Sequence, residues 1–191
     1  MNEKLKQEYH ERNIRWSQTA INQLSFFNNL LLSLGVGFLA FCFNPILFKT
    51  LNFTLKEIDF SKTFLAISII SILVSIILGL VISISRLKDF RITRTINHIR
   101  QRTYEHSEKV LDERTPDKYD RIKRICTIFK KPPKITSEEC KDYYKISNFD
   151  SRFRELRNIS HNLGINSWNY INYQTFFFGL SLILYLFSIF N

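Results

Sequence analysis

Glycine and proline are scarce in this chain, five and four among 191 residues. That scarcity speaks against a turn-rich β protein and for long helices. Cysteine is also scarce. Cys42 lies in an apolar run, and Cys126 and Cys140 show no CxxC spacing, so the pattern fits neither a disulfide framework nor a zinc site. There is no Walker A loop, no GxGxxG and no GxSxG, which leaves nucleotide and acyl-transfer chemistry without its usual phosphate cradle or nucleophile elbow. His10, His98 and His106 have no metal-ligand spacing with carboxylates or cysteines. No metal or cofactor is expected. The N-terminal stretch is charged, and no small-residue cleavage site follows the first apolar run, unlike a secretory signal.

The most informative absence is charge. From Thr63 to Ser85 twenty-three residues contain no acid or base. As a helix rising about 1.5 Å per residue, this stretch reaches roughly 35 Å, enough for a hydrocarbon core of about 30 Å. A soluble helix of that length would need a polar face. Two further stretches are charge-free, Trp16–Phe48 and Trp168–Asn191. The mean hydropathy of -0.10 averages over this segregation. The expected fold is all-α and membrane-integral. A charged N-terminal helix (1–17) precedes a transmembrane hairpin (18–46 and 63–85, joined by 47–62), and a basic cytoplasmic helical region (86–167) precedes a third crossing (168–191). Trp16, Trp168, Tyr170 and Tyr173 are placed as interfacial anchors.

The charge that is present is uneven. Residues 86–165 carry 20 Lys/Arg against 12 Asp/Glu, out of a net charge of +10. Arg86, Lys88, Arg91, Arg94, Arg100 and Arg102 crowd behind the second span, whereas the connection before it has Lys49, Lys56 and Lys62. The bias places residues 86 onward, and with them the N-terminus, in the cytoplasm of a cell whose inner membrane holds the spans. A basic juxtamembrane region points first to the bilayer and its anionic head groups as partners. Basic residues interleaved with Tyr104, Tyr119, Tyr143 and Tyr144 are also compatible with RNA, a nucleotide signal or a cytoplasmic protein.

Both hairpin spans carry a polar stripe. Gln18, Asn22, Ser25, Asn29, Ser33 and Gly37 are spaced by three or four in the first. Ser68, Ser71, Ser75, Gly79 and Ser83 are so spaced in the second. Each set lies on one side of a helix. Amides facing lipid cost free energy, so these stripes should meet protein or water. Two readings stay open: close helix packing through small residues, within the hairpin or between subunits of a homo-oligomer, and the wall of an aqueous pore. In the basic region Thr115 is read as an N-cap and Pro116 as the first residue of a helix running from Asp117 to Phe129. Thr136 and Glu139 form a capping box. A last cytoplasmic helix starts near Asp150, with Phe149, Phe153, Leu156, Ser160 and Leu163 on one side.

One stretch has the residue types of a phosphodiester-cleaving site, Arg154-Glu-Leu-Arg157-Asn158-Ile-Ser-His161. Arg can hold a phosphate while His moves a proton. It resembles the RNase motif of HEPN domains, where Arg, often followed by Asn, precedes His with four to six residues between them. Here three residues separate Arg157 from His161 and six separate Arg154 from it. The layout as a whole resembles small bacterial membrane proteins of antiviral defence: SLATT-type two-span effectors and CRISPR-associated membrane proteins with divergent HEPN domains. That resemblance implies a homo-oligomeric pore that depolarises the inner membrane. The alternatives are a non-conducting adaptor that binds a cytoplasmic partner through its basic helices, and a membrane-anchored RNase using Arg154 or Arg157 with His161.

Overall fold

The computed structural model describes residues 3–42, 60–107, 111 and 115–190. The end of the first expected span and the connection as far as residue 59 lie outside them. Among the described residues the chain is all-helical. Its elements are α1 (Glu3–Cys42), α2 (Phe60–Ser107), α3 (Arg121–Cys126), α4 (Ser137–Lys141), a 3-10 turn (Tyr143–Lys145) and α5 (Phe149–Phe190). Three helices are long and apolar enough to cross a membrane, within Gln18–Cys42, Phe60–His106 and Phe149–Phe190. Charge-free segments without proline give no reason for a helix to stop, and each long helix continues into charged sequence. The helix of the second span runs on to Ser107, and the helix that starts near Asp150 and the third apolar stretch form one uninterrupted α5.

Contacts divide the chain into two units, Met1–Leu80 with Tyr170–Asn191, and Val81–Asn169. In the first, α2 and α5 run antiparallel in a seven-residue register. Ser61 Oγ donates to the Ser188 carbonyl (2.5 Å), Ser68 Oγ to that of Ser181 (2.7 Å) and Ser75 Oγ to that of Gln174 (3.0 Å). Each step of seven along α2 is matched by a step of seven back along α5. That period keeps one seam in contact through slight supercoiling. Such bonds contribute only about 0.6 kcal/mol each in membranes, so the serines matter as much for being small as for being polar.

The first helix packs on this pair. Leu24, Asn28, Leu31, Gly35 and Cys42 are buried, spaced by three, four or seven along one side of α1. Gly79 is met by side chains from both other helices. A Cβ there would stand 2.5 Å from Gln174 Nε2 and 2.6 Å from Leu32 Cδ2, so both neighbours occupy the space a side chain would need. Asn28 Nδ2 reaches the Gly79 carbonyl at 3.4 Å. Higher on α5, Tyr185 meets Phe38 and Phe41 edge-on, with centroids 5.1 and 6.0 Å apart.

In the second unit Ile92, Ile96 and Ile99 of α2 are buried, as are Phe149, Phe153, Leu156, Ile159 and Leu163 of α5. Each large apolar side chain so buried is worth about 1.5–3 kcal/mol. The capping box forms as read: Thr136 Oγ1 accepts from Glu139 N, and the Glu139 carboxylate accepts from Thr136 N at 2.7 Å. Arg152 then clamps Glu139 at 2.8 Å and also donates to the Lys134 carbonyl. The helix expected over Asp117–Phe129 is shorter. Residues 115–120 are not helical, and α3 begins only at Arg121. Thr115 and Pro116 therefore cap nothing.

Gly79→Leu is expected to lower the stability of the three-helix unit by about 1–3 kcal/mol, the usual cost of overpacking. Gly179, with no atom within 4 Å of its would-be Cβ, is the matched control. Thermal midpoints of the detergent-purified variants read the difference. Equal effects of Gly79→Leu and Gly179→Leu contradict the packing described.

Candidate functional site

The two polar stripes have opposite fates. On α2, Ser68, Ser71, Ser75 and Gly79 are buried, and Ser83 is half-buried. Ser68 and Ser75 bond to α5, and the small volume at Gly79 is filled by Gln174 and Leu32. On α1, Gln18, Asn22, Asn29 and Ser33 are exposed, and Ser25 is half-buried. Gly37 is exposed, with no atom within 4 Å of its would-be Cβ. At 3.6 residues per turn the α1 stripe lies on the far side of the helix from Leu24, Leu31 and Gly35. The stripes of α1 and α2 therefore do not face each other within one chain.

Asn28 and Asn29 show the division within two residues. Asn28 is 2 % exposed and turned to Gly79, whereas Asn29 is exposed on the outer face. Asn29 stands thirteen residues beyond Trp16, roughly 20 Å along the helix. That depth is well inside a hydrocarbon layer if Trp16 marks its edge.

Two functional candidates escaped the sequence reading, Asn28 and Gln174. Gln174 is fully buried, and neither atom of its side-chain amide has a hydrogen-bond partner among the described residues. Its signal was present: it is the last amide before the apolar end of the chain, seven residues before Ser181 and fourteen before Ser188. Only the pairing of that count with Ser75, Ser68 and Ser61 gives it meaning.

The arginine–histidine stretch in the second unit is organised around asparagine instead. Asn158, Asn162 and Asn166 recur every fourth residue on α5, all buried. Asn158 Oδ1 accepts from Asp117 N (2.9 Å) and its Nδ2 donates to the Asp117 carboxylate (3.1 Å). Asn162 Oδ1 accepts from Tyr119 N and its Nδ2 donates to the Asp117 carbonyl, both at 2.9 Å. Asn166 Nδ2 donates to the Arg124 carbonyl at 2.6 Å. This ladder holds 117–124 along α5, and the Asp117 carbonyl, which a helix starting at Pro116 would offer to the backbone N–H of residue 121, is bonded to the Asn162 amide instead. Arg154 pairs with Asp117 at 3.3 Å. Arg157 is half-buried and His161 is exposed. The Asn of the Arg-Asn dipeptide is thus a structural strut.

Asp89 of α2 faces this stretch. Ser160 Oγ donates to its Oδ1 at 2.5 Å, and Thr93 Oγ1 approaches the same oxygen at 3.4 Å. Burial pushes the Asp89 carboxyl above its ordinary range, against the lowering pull of Ser160, Arg86, Thr93 and His161. Among the described residues no three His, Cys, Asp or Glu side chains converge to hold a metal. No family model, no curated protein and no solved structure matches the chain.

A raised carboxyl pKa means that the folded chain favours the protonated form. The resulting stability is fully present below the ordinary carboxyl pKa and is lost as pH rises through the raised folded value. Asp89→Asn keeps an acceptor for Ser160 and removes the buried charge. Its thermal midpoint is expected to match the parent's near pH 4 and to exceed it at neutral pH. A variant less stable at neutral pH contradicts the assignment of burial as the dominant influence.

Proposed function

We propose that the chain is a homo-oligomeric effector of the inner membrane that breaches the bilayer, forming a pore whose wall or subunit contact is the polar stripe of α1. The observation that carries this reading is the outward exposure of Gln18, Asn22, Asn29 and Ser33 on a helix long and apolar enough to cross a membrane. Moving an amide from water to an alkane with no partner costs about 4–8 kcal/mol. Several amides on one lipid-facing stripe would make the single chain an unfavourable resident of a bilayer. A second copy or a column of water removes that cost, and a ring of copies supplies both. The other exposed side chains of α1, including Phe26, Phe27, Leu34 and Phe41, suit lipid.

The charge bias behind the second span supports a cytoplasmic N-terminus and a cytoplasmic basic region. Three crossings then leave the C-terminus outside. Service in antiviral defence rests on the resemblance in layout to SLATT-type and CRISPR-associated membrane proteins.

The test is membrane potential after induced expression, read with a voltage-sensitive dye. The parent chain is expected to depolarise cells. Asn29→Leu should prevent depolarisation while the protein reaches the membrane in equal amount, because Asn29 makes no part of the packed face. Ser71→Leu should instead reduce the amount of folded protein, because Ser71 is buried within the chain. An intact potential at full abundance of the parent chain contradicts the proposal and favours an adaptor.

A further inference from the structure

One short segment of the second unit exposes several large apolar side chains. Phe129 is 85 % and Ile122 77 % exposed, and Ile125 is 44 % exposed beside them. Cys126 is exposed with them, so the apolar residues of α3, and Phe129 in the turn that follows it, are turned outward. Lys123 stands between them and Arg121 and Lys131 flank them, all three exposed. A cleft of about 600 Å³ opens here, lined by Tyr119, Cys126, Thr127 and Phe129 with Lys123 and Lys130. Lys130 is held toward Glu155 at 2.6 Å and lies 5.9 Å from the Tyr119 ring centre.

Two tethers fix where this segment sits. The Arg124 carbonyl accepts from Asn166, two residues before the charge-free stretch that opens at Trp168. The Ile128 carbonyl accepts from Lys88 Nζ, three residues after the charge-free stretch that closes at Ser85. Both ends of the segment are therefore tied to residues at the rim of the apolar spans. Leu87 and Phe90 of α2, also just past Ser85, are exposed too. A level of the protein that shows aromatic and branched side chains between lysines and arginines has the composition of an interfacial segment, apolar toward the acyl chains and cationic toward phosphates.

We propose that Arg121–Lys131 is a membrane-surface wedge that docks on anionic glycerophospholipid of the adjoining leaflet, with Ile122 and Phe129 entering the headgroup layer and a lipid phosphate held between Lys123 and Lys130 at the mouth of the cleft. The charge selects the occupant. A neutral leaflet would satisfy the apolar residues and leave the cations uncompensated, whereas an anionic leaflet satisfies both. The proposal rests on the membrane location of the chain and not on conduction, so its failure leaves the pore reading untouched.

Amide exchange of the full-length protein in lipid nanodiscs tests it, comparing phosphatidylcholine alone with phosphatidylcholine containing phosphatidylglycerol. Peptides covering 121–131 are expected to exchange about tenfold more slowly in the anionic discs, with no change over the buried stretch 153–163. The double variant Lys123→Glu, Lys131→Glu should abolish that difference, and Phe129→Ser should raise exchange over 121–131 in the anionic discs. Equal exchange of the parent segment in the two lipids overturns the proposal, including the case of a segment that waits for a protein partner. Slowing that survives the charge reversal overturns it as well.

Discussion

A hydrogen-bonding group placed in hydrocarbon without a partner costs free energy, and this cost shapes most of the membrane unit, Gln174 excepted. Helix α2 avoids it inside the chain. Its serines lend their hydroxyls to carbonyls of α5 at Ser188, Ser181 and Gln174, and their small size lets the two backbones close. Asn28 joins from α1 by reaching the Gly79 carbonyl. The outer stripe of α1 has no such answer within one chain. The same cost that favours the bundle thus leaves one face needing something beyond it.

The second unit meets a related demand with different means. It is too small for a large core, and its apolar contacts are confined mainly to α2 against α5. The segment between α2 and α4 is therefore secured by amides. Asn158, Asn162 and Asn166 bind backbone groups from Asp117 to Arg124. The ion pairs of Lys130 with Glu155 and Arg152 with Glu139 fasten the chain from Lys130 through α4. Because the asparagines satisfy the backbone from one side, Ile122, Ile125 and Phe129 are free to face outward.

Much of this architecture can be read from residue order. Charge-free runs mark the helices that are long and apolar enough to cross a membrane. Thr136 and Glu139 announce their cap because both halves of the motif are local. Phe149, Phe153, Leu156 and Leu163 declare a buried side because helical spacing needs no partner to be recognised. The misses share one cause. Which side of α1 packs inward depends on α2 and α5, and small or polar residues occur on both sides of it, so Asn28 and Asn29 look alike in the sequence. Thr115-Pro116 has the chemistry of a helix start, but residues 115–120 are not helical and the Asp117 carbonyl is bonded to the Asn162 amide, forty-five residues away. Gln174 acquires its place only once the count of seven on α5 is laid against the opposite count on α2.

The central claim is that the amide face of α1 is covered by another copy or by water while its flanks meet lipid. Single cysteines introduced in native membranes, in a chain freed of its own three, measure this most directly. Asn22→Cys, Asn29→Cys and Ser33→Cys are expected to cross-link between chains or to react with a membrane-impermeant maleimide. Phe27→Cys and Leu34→Cys, on the flank, should do neither. Stripe and flank positions that behave alike would contradict the account.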